Sequence, residues 1–108
     1  MTHNELIGFA ETVFSECIQV LEAKGRAYSG EEDALSNFKN TARDLNLTFE
    51  KAWHVFFYKH LCSLLSYING YYDDPEPIEM RIVDLINYLI LLMAYIADNN
   101  ATDSGESK

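Results

Sequence analysis

The sequence has few of the residues that interrupt regular structure. Its 108 residues include only five glycines, two prolines and two cysteines. β-Sandwiches and barrels need turn residues every eight to twelve positions or so, and two segments of more than about twenty residues here lack them almost entirely. The sequence therefore predicts an all-α fold. Its hydrophobic fraction of 48% is enough to fill the core of one domain.

The two cysteines are far apart in the chain. Cys17 and Cys62 each stand among apolar neighbours, which is typical of reduced core residues and not of a disulfide or redox pair. The first residues include no basic stretch, and Glu11 and Glu16 interrupt the apolar residues that follow. A secretory signal peptide begins with a basic stretch that is followed by an uninterrupted apolar stretch, and this sequence has neither. We therefore expect a cytoplasmic protein.

Long apolar runs are also scarce. The longest candidate, 85–97, has 13 residues and is apolar apart from Asn87. Because about 20 residues are needed to span a bilayer, this run predicts a buried helix and no membrane partner.

Positive charge is in short supply as well. Eight Lys and Arg stand against 17 Asp and Glu, for a net charge of −9. Nucleic-acid polymers are bound mainly through basic residues that neutralise phosphates, so this balance disfavours such a partner. Six of the eight bases nevertheless lie in residues 24–59. A site for a small anion is expected there; the alternative is that these bases lie on solvated helix faces as i,i+4 pairs.

Apolar residues recur at intervals of three and four, as on one face of a helix. Four helices are expected: Glu5 to Lys24 with Thr2 or Asn4 as cap, a second from a Ser29-x-x-Glu32 capping box to Leu45, a third from Thr48 to Ile68, and a fourth from Pro77 to Ala97. Asn46 and the Asn69-Gly70 pair provide stop signals. We therefore predict one helical domain over residues 1–97 and a disordered acidic tail over 98–108.

Helices three and four are apolar on most sides. A helix that is hydrophobic all round must be buried all round, and a chain of this length has too little material to cover two of them. We therefore predict a four-helix bundle-like protomer in a homo-dimer or tetramer, with the interface built from these two helices.

Helix four also carries polar residues that are costly to bury. At about 100° per residue, Glu76, Asp84 and Asn87 share one side of this helix. Carboxylate oxygens are the ligands that Mg²⁺ prefers, so Glu76, Glu79 and Asp84 form a candidate metal set. The alternative is that Asp84 is a structural acid with a partner inside the bundle. The candidates for that partner are Arg81, Lys59 and a tyrosine hydroxyl.

A second candidate site is the segment 24–30. It places Lys24, Arg26 and Tyr28 among two glycines just before the expected second helix, an arrangement that suits a phosphate at a helix N-terminus. The three acids that follow, at 31–33, weaken this hypothesis because they already satisfy the helix dipole.

Other catalytic or metal arrangements have no support in the sequence. His54 and His60 are six residues apart and so lie on different faces of one helix, which makes a zinc site improbable. No serine has the local context of a nucleophile elbow.

Three stretches carry a resemblance to known proteins. They read Lys24-x-x-x-Tyr28-Ser-Gly-x-x-Asp33-Ala-Leu-x-Asn37-Phe38, Lys59-His60-Leu61 and Glu76-Pro77-Ile78-x-x-Arg81-Ile-x-Asp84-Leu-Ile-Asn87-Tyr88. Together they resemble a group of short phage-borne helical proteins of unassigned function. Those proteins are distantly similar to the all-α nucleotide pyrophosphohydrolases of the MazG-like superfamily, in which carboxylates on two helices hold Mg²⁺ against a nucleoside triphosphate.

The resemblance implies that Asp84 contacts a metal or ligand and that Asn87 lies beside it in a nucleotide pocket at an oligomer interface. With Arg26 from the basic segment and Tyr88 from the last motif, the predicted ligand-binding set is Lys24, Arg26, Tyr28, Asn37, Lys59, Asp84, Asn87 and Tyr88. Two acidic features of the superfamily are missing: no Glu-Glu-x-x-Glu pair is present, and position 80 is Met80. Water attack on a pyrophosphate needs enough carboxylates to hold the cations.

Three functions follow as hypotheses. The first is a phage-type protein that captures a phosphate-bearing nucleotide or nucleotide signal at a subunit interface, countering host defence in the cytoplasm of the host cell. The second is a Mg²⁺-dependent, MazG-like nucleotide pyrophosphohydrolase. The third is an acidic inhibitor that binds a host protein through its negative surface.

Overall fold

The computed structural model describes residues 1–29 and 33–107, and of residues 28–29 and 102–107 it describes the backbone alone. The described residues form four α-helices and no strand, which confirms the all-α prediction. They are α1 (His3–Ser29), α2 (Ser36–Leu45), α3 (Phe49–Ile68) and α4 (Ile78–Ser107).

Local signals explain most of the helix ends. The Thr2 hydroxyl accepts a hydrogen bond from the Glu5 N–H at 3.1 Å, and the Thr48 hydroxyl accepts one from the Lys51 N–H at 3.2 Å, as predicted for N-caps. Asn46 ends α2 in the left-handed conformation at φ 57°, and Gly70 follows α3 at φ 90°. These stop signals were also predicted.

The predicted end of the first helix was wrong. α1 continues through Gly25 to Ser29, because a single glycine costs a helix only about 1 kcal/mol and good helix formers surround it. The segment 24–29 is therefore helical and does not form the expected phosphate loop. The Ser29-x-x-Glu32 capping box lies outside the described residues.

The second helix begins later than predicted, at Ser36. The Asp33 carboxylate accepts a hydrogen bond from the Leu35 N–H at 2.9 Å and pairs with the Lys39 ammonium at 2.8 Å. These contacts hold the pKa of Asp33 below its usual range, and the hydrogen bond from Lys39 makes the largest contribution. This acid therefore takes the place of a cap for α2.

The fourth helix extends past the predicted end at Ala97, and its backbone is helical to Ser107. No glycine or proline interrupts the chain between Ala97 and Gly105, so no helix breaker stops it there. The greater length of this helix changes the comparison with the length needed to span a bilayer. Over 78–101, with a mean hydropathy of 1.7 in its most apolar 18-residue window, it is long and apolar enough to cross a bilayer, which the run 85–97 alone was not.

The core lies where α2 and α4 pack against α3. Leu35, Phe38, Phe49 and Trp53 are buried together, and the rings of Phe49 and Tyr95 stack with centroids 3.8 Å apart. Aromatic residues bury much apolar area each, which lets a short chain form this centre. Near one end of it, α1 packs against α4.

The two cysteines are free, as predicted, but only one is in the interior. Cys17 is fully buried on α1, whereas Cys62 is exposed on α3. The expectation that both are core residues is therefore wrong for Cys62, because the face of α3 that carries it has no helix packed on it.

Candidate functional site

A polar cluster lies where α1, α3 and α4 meet. It contains Lys24 of α1, His60 of α3, and Asp84 and Asn87 of α4; Asp84 and Asn87 are the two buried polar residues among those described. Asp84 and Asn87 are three positions apart and so face the same way. The helix pattern therefore puts both polar side chains inside, as the sequence indicated.

Asp84 is held by bases from two other helices. Its Oδ1 atom lies 2.9 Å from the Lys24 ammonium, and its Oδ2 atom lies 3.6 Å from Nδ1 of His60. Lys24 is about half exposed, whereas Asp84 is buried. A buried carboxylate is costly unless it is paired, and Lys24 supplies that pair. The partner is neither of the bases expected from the sequence, Arg81 and Lys59.

Asn87 joins α4 to the backbone of α1. Its amide nitrogen donates to the carbonyl of Cys17 at 3.0 Å. Because Asp84 contacts position 24 and Asn87 contacts position 17, the two helices run antiparallel here. The other amide atom, Oδ1, is buried and accepts no hydrogen bond from any described residue.

His60 is partly buried beside Asp84, and its ring centroid lies 5.1 Å from that of Tyr88. Burial lowers the pKa of the imidazole; Asp84 opposes this shift, and the positive charges of Arg81, Lys24 and Lys59 add to it. His60 is therefore neutral near pH 7. Its Nδ1 atom is also buried and has no hydrogen bond among the described residues, since 3.6 Å is too long for one.

The remaining predicted ligand residues are more scattered. Lys59 is exposed on α3 next to His60, and Asn37 is half-buried on α2. Tyr88 packs against Phe38 with centroids 6.0 Å apart, and its carbonyl accepts the Trp53 indole N–H at 2.7 Å. Arg26 pairs with Glu22 of its own helix at 3.2 Å. The Tyr28 side chain lies outside the described part.

The structure does not bring the predicted metal set together. Glu76 lies 3.3 Å from the Arg81 guanidinium, Glu79 is exposed at the start of α4, and Asp84 is paired with Lys24. Within the described ranges no group of three His, Cys, Asp or Glu residues is arranged to hold a metal ion. Glu76 instead lines an open cleft of about 500 Å³ beside the α3–α4 connection.

Comparison with known proteins adds nothing to this geometry. No family model, curated protein or solved structure matches the chain. The cluster's chemistry must therefore be inferred from its own residues.

His60 belongs to the site although the sequence did not predict it there. Its spacing from His54 bears only on a zinc pair, and His60 follows Lys59 in one of the three motifs. The available signal was the apolar setting of His60, with Phe56, Phe57 and Leu61 nearby. A polar ring at such a position is expected to seek a buried partner.

The cluster combines positive charge with hydrogen-bonding groups. Lys24 and Lys59 provide positive charge, the neutral imidazole of His60 offers a donor and an acceptor, and the free Oδ1 atom of Asn87 offers another acceptor. Positive charge beside mixed donors and acceptors suits a ligand that has both an anionic group and a polar heterocycle.

Proposed function

We propose that this protein captures a phosphate-bearing small molecule of the nucleotide class at the Lys24–His60–Asp84–Asn87 cluster. The observation that carries the proposal is one cation beside the cluster that is not neutralised: in a chain of net charge −9, Lys59 is exposed next to His60, and the ion pairs of the described residues do not include it. An exposed positive charge at the edge of a polar cluster attracts an anion.

Lys59 is the cation best placed to receive the phosphate. Lys24 is bound to Asp84, and Arg81 is bound to Asp74 and Glu76 at 3.1 and 3.3 Å. Lys59 is exposed, and no ion pair joins it to another described residue. Its ammonium therefore has its charge available for a ligand.

The buried polar atoms support a ligand with a heterocyclic part. An unpaired buried acceptor or donor costs about 1–3 kcal/mol, and both the Asn87 Oδ1 and the His60 Nδ1 atoms are in this state. Pairing with the exocyclic amine or ring nitrogen of a base would recover that free energy, and it requires the base to enter the interior, because neither atom is exposed to solvent. Binding without turnover is the simplest use of such a site, because the nearby carboxylate is already paired.

The experiment begins with mass spectrometry of small molecules released from purified, heat-denatured protein, followed by calorimetry with the nucleotide identified. We expect Lys59→Gln to weaken binding about tenfold, the equivalent of about 1.4 kcal/mol, and added salt to weaken it further. Lys51→Gln is the matched control: Lys51 is exposed on the same helix and lies away from the cluster.

Two results would contradict this function. The first is the failure of every nucleoside mono-, di- and triphosphate and cyclic nucleotide tested to bind. The second is the release of pyrophosphate or monophosphate from nucleoside triphosphates with Mg²⁺, which would support the pyrophosphohydrolase hypothesis instead.

A further inference from the structure

The outer face of α4 carries a regular row of apolar residues. Their spacing alternates between four and three positions, which is the pattern of a coiled-coil seam. The row, called the α4 seam below, consists of Ile82, Ile86, Leu89, Met93 and Ile96. It contains no charged residue.

The seam is largely uncovered. Ile82, Leu89 and Ile96 are 40–47% exposed and Met93 is 69% exposed. At 3.6 residues per turn, Met93 lies on the side of the helix opposite Asp84. The buried face of α4 therefore contacts the rest of the chain, while the seam faces away from it.

The whole chain exposes more surface than a monomer of its size should. Its accessible area is 7948 Å², whereas a folded monomer of 12.4 kDa is expected to expose about 6,100 Å². The radius of gyration is 16.3 Å, against about 13 Å expected for a compact domain of this length. The excess of about 1,800 Å² is more than twice the roughly 800 Å² that one partner contributes to a standard interface.

We propose that a second copy of this chain covers the α4 seam, so that the protein is a homodimer joined by its two α4 helices. A seam of this spacing is complementary to itself, and a two-fold axis would bring two identical rows together. Because the row is free of charge, no like charges would meet in the contact.

A lipid bilayer is a less favourable cover for the same row. The residues 78–101 form a candidate membrane span, and only 22% of its most apolar 18-residue window is buried. Asp84 lies within it and is tied to Lys24 of α1. Insertion of the span would carry an ion pair and a second helix into hydrocarbon, which is expensive.

The seam and the polar cluster occupy opposite faces of α4. The dimer therefore leaves Lys24 and Lys59 accessible, and each copy would hold its ligand alone, in contrast to the pocket between subunits expected from the sequence. The seam does not depend on the proposed function, since its apolar surface needs cover whatever the cluster binds.

Sedimentation velocity on the full chain at micromolar concentration tests the seam. We expect the wild-type protein to be a dimer and Met93→Glu to be a monomer with unchanged helical circular dichroism. Ala94→Glu is the matched control, because it adds the same charge at the neighbouring exposed position and should remain dimeric. If Met93→Glu does not fold, Leu89→Ala and Met93→Ala should still raise the dimer dissociation constant about tenfold or more.

Three outcomes would overturn the proposal. One is a monomeric wild-type protein. Another is an oligomer whose dissociation constant none of the seam variants changes. The third is a wild-type protein that co-sediments with vesicles of neutral phospholipid, which would show that a bilayer covers the seam.

Discussion

His60 shows how one buried side chain links the fold of this protein to pH. The imidazole of α3 lies against α4, beside Asp84, and the charges of Lys24, Lys59 and Arg81 act on it. Its pKa is lowered chiefly because burial disfavours the protonated ring. The folded protein therefore resists taking up a proton that the unfolded chain accepts near its ordinary pKa of 6.5.

This difference predicts a loss of stability in mild acid. Where the unfolded state binds more protons, the free energy of unfolding falls as pH falls. The loss begins below about pH 6.5 and is complete below the lowered pKa of the folded state. We expect His60→Gln to flatten the profile of melting temperature against pH over about pH 7 to 5, whereas exposed His54→Gln should leave it unchanged. Equal profiles for wild type and His60→Gln would contradict this.

At the scale of the element, the start of α3 is capped by a single side chain, that of Thr48. Thr48 has extended backbone and accepts the Lys51 N–H, while Asn46 two residues earlier ends α2 in the left-handed region. The short connection between α2 and α3 therefore contains one signal that ends a helix, Asn46, and one that starts a helix, Thr48. Because α3 carries Phe49 and Trp53 into the core, the start of this helix also positions the aromatic centre.

Loss of that cap should be measurable. We expect Thr48→Ala to lower the free energy of unfolding by about 1 kcal/mol, because one N–H at the start of α3 loses its acceptor. Chemical denaturation of both proteins measures the difference, and Thr48→Ser should restore most of it. An unchanged midpoint in Thr48→Ala would show that water replaces the hydroxyl at no cost.

At the scale of the whole molecule, the described chain has an interior on one side of α4 and exposed apolar residues on the other. The exposed large residues are not confined to the seam: on α1, Phe14 and Ile18 are also more than half exposed. Along α1, Cys17 is the one buried side chain among those described. The fold of the single chain therefore leaves much of its hydrophobic surface exposed.

Association through the seam predicts a melting temperature that depends on protein concentration. A partner that binds only the folded state stabilises it by mass action. We expect a hundredfold dilution to lower the melting temperature by about 5 °C, which corresponds to about 1 kcal/mol per chain in a domain of this size. The melting temperature of Met93→Glu should not respond to dilution. A wild-type melting temperature that stays constant would indicate that no dimer is present.

The sequence predicted which helices form more accurately than it predicted where they begin and end. Thr2, Thr48 and Asn46 act through backbone groups within a few residues, so their roles can be read locally. The end of α1 was missed because Gly25 was treated as a helix break, and the predicted end of α4 at Ala97 was wrong because helical backbone continues to Ser107. Ordinary polar residues cost a helix less than about 1 kcal/mol each, so polar composition alone does not end it.

The candidate site was likewise predicted from the sequence only in part. The sequence by itself determined that α4 presents Asp84 and Asn87 on one face, because helical periodicity depends only on spacing. The exposed four-three row on the opposite face was not predicted, since helix four was expected to be apolar on most sides; the structure shows which of its apolar residues stay exposed. Only the tertiary structure decided that Lys24, 60 positions from Asp84 in the chain, neutralises it, and that His60 joins them. The physical reason is that a buried charge is satisfied by whichever helix face packs against it, and the choice of facing helices is made by the packing of the whole chain.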